Sequence, residues 1–208
     1  MPNLTDLLEG QLSGGMIDQL SKQLGGTDPK QTATAANGIM TMLVNQIARN
    51  ASTPEGASSL SNALDRDHDG SVLDDLMGLL GGGANQPQQN RALNGTGILN
   101  HVLGNRQGNV IQMISKMSGL DQGNTGNLMT MLAPMVMGML GKQKRQQGLD
   151  TNGLTSFLNG ELQQQRKSGN PTMNMITQFL DADGDGDIKD EVASMGMKFL
   201  GNLFRKKR

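Results

Sequence analysis

The chain contains no cysteine, tryptophan or tyrosine, and its four phenylalanines (157, 179, 199, 204) all fall in the second half. Without cysteine there is no disulfide framework, no thiolate metal site and no cysteine nucleophile. With 2% aromatic and 35% hydrophobic residues, the core must be built from something else. Sixteen methionines supply it. Their flexible thioether chains fill irregular gaps between helices, and their helical spacing favours a Met-rich core over a Met-rich binding surface. Long apolar runs are missing too. The longest, LMTMLAPMVMGML at 128–140, is 13 residues, against about 20 for a membrane helix, and reads as a buried core helix. The start, MPNLTDLLEG, offers neither a basic region nor an unbroken apolar one, so no secretory leader is expected and a cytoplasmic location is the default.

Histidine is nearly absent as well: only His68 and His101. No nucleophile elbow, phosphate loop or H-E-x-x-H occurs, so the sequence points away from an enzyme. His101, in GILNHVLG, has no carboxylate near it in sequence and reads as a surface or satisfied helix residue. Net charge is −1, but residues 1–94 hold 5 Lys+Arg against 10 Asp+Glu while residues 95–208 hold 13 against 9. Oppositely charged halves can attract each other within or between chains, which points to a homo-oligomer or a protein partner, with salt screening the exposed charges. The terminal cluster Arg205, Lys206, Lys207, Arg208 offers a contact for nucleic acid or an anionic membrane. No aromatic side chain interleaves with it as a base-stacking platform requires, and a solvated tail is the simpler reading.

The chain echoes itself. MIDQLSKQLGG at 16–26 returns as VIQMISKMSGL at 110–120, and MTML at 40–43 returns at 129–132. The offset is 94 at the first pair, 89 at MTML and 116 at the acidic loops, so the second copy carries extra residues. The implied organisation is a first helical repeat over 1–83, a Gly/Gln-rich linker over 84–97, a second repeat over 98–204 with an insertion near 141–172, and the tail 205–208. Local signals are helical throughout, with no convincing strand alternation. Asp28-Pro29-Lys30-Gln31 reads as an N-cap, a proline at the first helical position and a capping-box glutamine. Thr53-Pro54 and Asn170-Pro171 repeat the cap-then-proline device. Ile39, Met40, Leu43, Val44 and Ile47 form one apolar stripe, and Leu128, Leu132, Met135, Val136 and Met139 form its counterpart. Pro134 falls inside that second stripe and predicts a kink or a split. Twenty-nine glycines must lie mostly at helix ends or where backbones approach closely, since each costs about 1 kcal/mol inside a helix.

What is abundant is aspartate, in two places. DRDHDGSVLDD begins at Asp65, and DADGDGDIKDE covers 181–191. Numbered from Asp65, the first loop (65–75) has Asp65, Asp67 and Asp69 at positions 1, 3 and 5, Gly70 at 6, Ser71 at 7 and an apolar Val72 at 8. The second (181–191) has Asp181, Asp183, Asp185, Gly186, Asp187 and Ile188 there. This is the first two-thirds of an EF-hand calcium loop: hard carboxylate oxygens at 1, 3 and 5, a glycine turn at 6 and a backbone carbonyl ligand at 7. The closing glutamate is displaced, because position 12 is Leu76 or Val192. Acids stand instead at 10 and 11, as Asp74 and Asp75, then Asp190 and Glu191, where an early-starting helix can swing one in. His68, at position 4, is expected to point outward. Helix capping alone would explain one or two acids, but each loop has at least five in eleven residues. Calcium suits the loops better than magnesium, which wants tight octahedral geometry, and the missing bidentate ligand implies an affinity on the order of 10⁻⁵ to 10⁻³ M.

The acidic loops, the NASTPEGASSLSNAL segment before the first of them, the Gly-rich linker and the repeated helices together resemble the bacterial YidB-like family of unknown function. That resemblance implies small helical bundles and no established activity. The expected fold is therefore all-α, a tandem duplicated helical bundle with two EF-hand-like D-x-D-x-D-G loops.

Overall fold

In a computed structural model of the chain, residues 4–68 and 93–167 are described, and among them every regular element is helical. The helices are α1 (Leu4–Gln11), α2 (Gly14–Gln23), α3 (Pro29–Asn50), α4 (Pro54–Arg66), α5 (Gly95–Leu103), α6 (Gln107–Ser118), α7 (Gln122–Gln146) and α8 (Thr151–Lys167), with a short 3₁₀ turn, Gly104–Arg106, between α5 and α6. α3 and α7 form the centre, and the other helices wrap around them.

Local chemistry sets the ends. The Asp28 carboxylate accepts from the Lys30 and Gln31 N–H groups at 2.7 and 3.3 Å, and Pro29 occupies the first helical position of α3. The Gln31 side chain does not complete a capping box; its amide lies against Gly119 instead. Thr53 caps α4 through Gly56 N–H at 3.1 Å, ahead of Pro54. Asp121 caps α7 in the same way, through Asn124 N–H at 3.0 Å, and these hydrogen bonds hold its carboxyl below the usual carboxylate range. Asn170-Pro171 lies outside the described residues. Aligning the caps Asp28 and Asp121 sets α3 on α7 with an offset of 93, four residues from the MTML offset. A slip of about one helical turn keeps the same face inward, which is how the short motif drifts without disturbing packing.

Both apolar stripes are buried. Residues 38–48 of α3 and 132–141 of α7 are enclosed on every side, and seven methionines (16, 40, 42, 129, 135, 137, 139) join Leu and Ile in one continuous core. That core draws on helices from both proposed repeats, so the described parts of the two repeats are not separate bundles. Helix α5 starts at Gly95, taking the last three residues assigned to the linker. The described part of the insertion is itself ordered as the end of α7 and as α8, which packs on α3 and α4. Glu161 of α8 accepts the Leu4 N–H at 2.9 Å and fastens the start of α1.

Pro134 does not split its helix: α7 runs unbroken through it. A proline removes the N–H that would have bonded the carbonyl four residues earlier, here Thr130. That carbonyl is met from outside. A Cβ built on Gly95 would stand 1.9 Å from the Thr130 oxygen, so the α-hydrogen in that direction points at it, a C–H···O contact only glycine permits. Gly56 makes the same approach to the Asn50 carbonyl at the end of α3, where an added Cβ would stand 1.8 Å from the oxygen.

Candidate functional site

The first acidic loop leaves the bundle at the end of α4. Asp65 lies in the last turn of that helix, and Asp67 is its C-cap, donating its N–H to Ala63 O at 3.0 Å. The Asp65 carboxylate, 62% exposed, accepts a hydrogen bond from the ammonium of Lys144 on α7, whose side chain is only 9% exposed. The pair borders a small hollow of about 250 Å³ between Leu64, Gly141, Gly148 and Leu149. Lys144 therefore supplies a cation at the loop's first position, a partner that sequence reading did not find. Its only sequence signal is membership of the basic run KQKR, which reads equally well as a solvated face.

Of the remaining candidate ligands, Asp69, Ser71, Asp74 and Asp75, and the whole second set of Asp181, Asp183, Asp185, Asp187, Asp190 and Glu191, lie outside the described residues, as does the basic tail. Among the described residues no three His, Asp or Glu side chains are grouped to hold a metal. No helix among them is long and apolar enough to cross a membrane.

His68 overturns its expected outward direction. It is 5% exposed and lines a cavity of about 350 Å³ walled by Ile47, Leu60, Ile98, Val102 and Met137. The chain turns inward directly after the Asp67 cap and carries the imidazole under α4. Burial holds its pKa below the ordinary 6.5, with the Asp67 carboxylate pulling the other way. Nδ1 is buried and, among the described residues, has no hydrogen-bond partner. His101, exposed as expected, stands at the same cavity. Asn50 is also at this cavity: its oxygen accepts from Gln46 at 2.9 Å and its amide donates to Val102 O at 3.0 Å, tying α3 to α5.

The buried imidazole has a pH consequence. The unfolded chain binds this proton more tightly than the folded one, so stability falls as pH drops below about 6.5 and continues to fall until the lowered folded value is passed. Thermal melts from pH 7.5 to 4.5 in EDTA are expected to show a steeper decline for wild type than for His68→Phe. Parallel curves would show that His68 is not the responsible group.

No curated protein and no solved structure matches the chain. The profile described as bacterial protein of unknown function (DUF937) matches residues 6–143, a span that runs from within α1 through α2 to α6 and the first acidic loop into most of α7, and the chain belongs to that family.

Proposed function

We propose that the chain is a non-enzymatic calcium-binding structural or interaction module, in which a divalent cation closes each acidic loop. The observation that carries this reading is the placement of the first loop. An EF-hand loop is entered from a helix, and Asp65 and Asp67, positions 1 and 3, occupy the last turn and C-cap of α4. Acids stand at positions 10 and 11 of both loops, which capping alone has no use for.

The contact with Lys144 refines the mechanism. Repulsion among Asp65, Asp67 and Asp69 is partly offset by the ammonium before any ion arrives, so α4 stays docked and calcium acts mainly on the loop beyond it. It also determines which variants are informative. Removing Asp65 would leave the buried Lys144 without its carboxylate, destabilising the fold with or without calcium. Asp67→Asn with Asp183→Asn, the third position of each loop, avoids that. In thermal denaturation, calcium at 100 times its dissociation constant is expected to stabilise wild type by about 2.7 kcal/mol per site, and the double variant much less. A melting midpoint indifferent to calcium in wild type would refute the proposal.

A further inference from the structure

Given the calcium reading proposed above, on which this step rests, the ion pair at the start of the first loop bears on how tightly that loop holds its cation. Asp65 stands at position 1 and is 62% exposed, so an ion can reach its carboxylate from solvent. Its Oδ1 already accepts a hydrogen bond from the ammonium of Lys144, whose side chain is 9% exposed. Position 1 therefore holds a cation of the chain's own before any other arrives.

A calcium ion on Asp65 must either share that carboxylate with the ammonium or displace it. Sharing sets a double positive charge within a carboxylate's width of a buried single one, where little water screens the repulsion. Displacement leaves the ammonium buried without its counter-ion. Both routes take free energy from binding. The geometry points to Lys144 as a built-in competitor of calcium, a tethered cation that occupies position 1 and raises the calcium concentration at which the first loop fills. Because the lysine belongs to α7 and the aspartate to α4, filling of that position is coupled to the contact between these helices.

The two partners differ in what their loss costs. Without Asp65 the fold keeps an unpaired buried ammonium, whereas without Lys144 it keeps an exposed carboxylate that water solvates. Lys144→Met, similar in length and suited to a place near Leu64 and Leu149, is therefore expected to fold.

Calorimetric titration of the full chain with calcium, in an Asp183→Asn background that disables the second loop, reads the first loop alone. Adding Lys144→Met is expected to tighten binding by about tenfold or more, as loss of one nearby positive charge requires. Lys144→Arg keeps the charge and is expected to bind like the background. Lys144→Gln keeps a donor toward Asp65 without the charge, should also tighten binding, and replaces the methionine variant if that one does not fold. Tightening by the neutral variants alone, or binding seen only in them, supports competition. Unchanged affinity in the neutral variants overturns it and leaves the calcium reading standing. Weaker binding overturns it too, because Lys144 would then support Asp65 rather than compete for it. Baseline heats in the background and in every variant overturn both.

Discussion

Replacing Gly95 by alanine is expected to destabilise the protein by about 3 kcal/mol, the upper range for forcing atoms into a packed interior. The added methyl would stand 1.9 Å from the Thr130 carbonyl oxygen, 2.8 Å from its carbon and 3.0 Å from the Thr130 methyl. Neither side can yield easily. Thr130 belongs to α7 just before its enclosed stretch, and Gly95 opens α5, which is held by the Asn94 cap and by Asn50 on Val102 O. Moving α5 away would also strip the contact that covers the carbonyl of half-buried Thr130, whose helical donor Pro134 lacks. The sign makes the result diagnostic, because glycine to alanine in an open helix stabilises by up to about 1 kcal/mol. Gly108, in α6 with nothing within 4 Å of its added Cβ, is the control and should give that smaller, opposite effect. Urea denaturation followed by circular dichroism distinguishes the two. A neutral Gly95→Ala would mean that α5 and α7 do not meet backbone to backbone.

Leu132→Ala and Leu43→Ala are each expected to cost about 2–5 kcal/mol, the transfer of an isobutyl group plus the cavity left behind. Both leucines are buried, at 0% and 1% exposure, on the facing central helices α7 and α3. Their common effect matters as much as its size. Because the two helices share one core, either substitution should shift a single unfolding transition as a whole. If the repeats folded independently, Leu132→Ala would lower one transition and leave a second at the wild-type position. Two separable transitions would contradict a shared core.

How much of this was legible in the sequence depended on the range of the interaction. Caps and stripes are local. Asp28 and Thr53 had their N–H groups two or three residues away, and the apolar stripe from Ile39 to Ile47 marked a segment that is buried, although the fold encloses the rest of 38–48 as well. The buried character of 128–140 followed from its length and composition in the same way. Of the two outcomes expected at Pro134, the split does not occur, because the rule that proline breaks a helix assumes an unmet carbonyl, and the group that approaches it, Gly95, is 39 residues from the proline. His68 misled because its direction was inferred from its place in a loop motif, whereas the fold turned it into a cavity whose other walls come from α3, α5 and α7. The Lys144–Asp65 pair spans 79 residues and left no pattern in either local segment. The family resemblance was legible, and the match over residues 6–143 bears it out. It brought no activity with it, so the chemistry has to be argued from side chains.

That chemistry rests on the acidic loops, and calorimetric titration with calcium of the wild type and the Asp67→Asn, Asp183→Asn double variant tests it most directly. The account expects saturable binding to the wild type with dissociation constants on the order of 10⁻⁵ to 10⁻³ M, and heats close to the dilution baseline for the double variant. Baseline heats for the wild type with no change in its melting midpoint, or equal binding by both proteins, would contradict it.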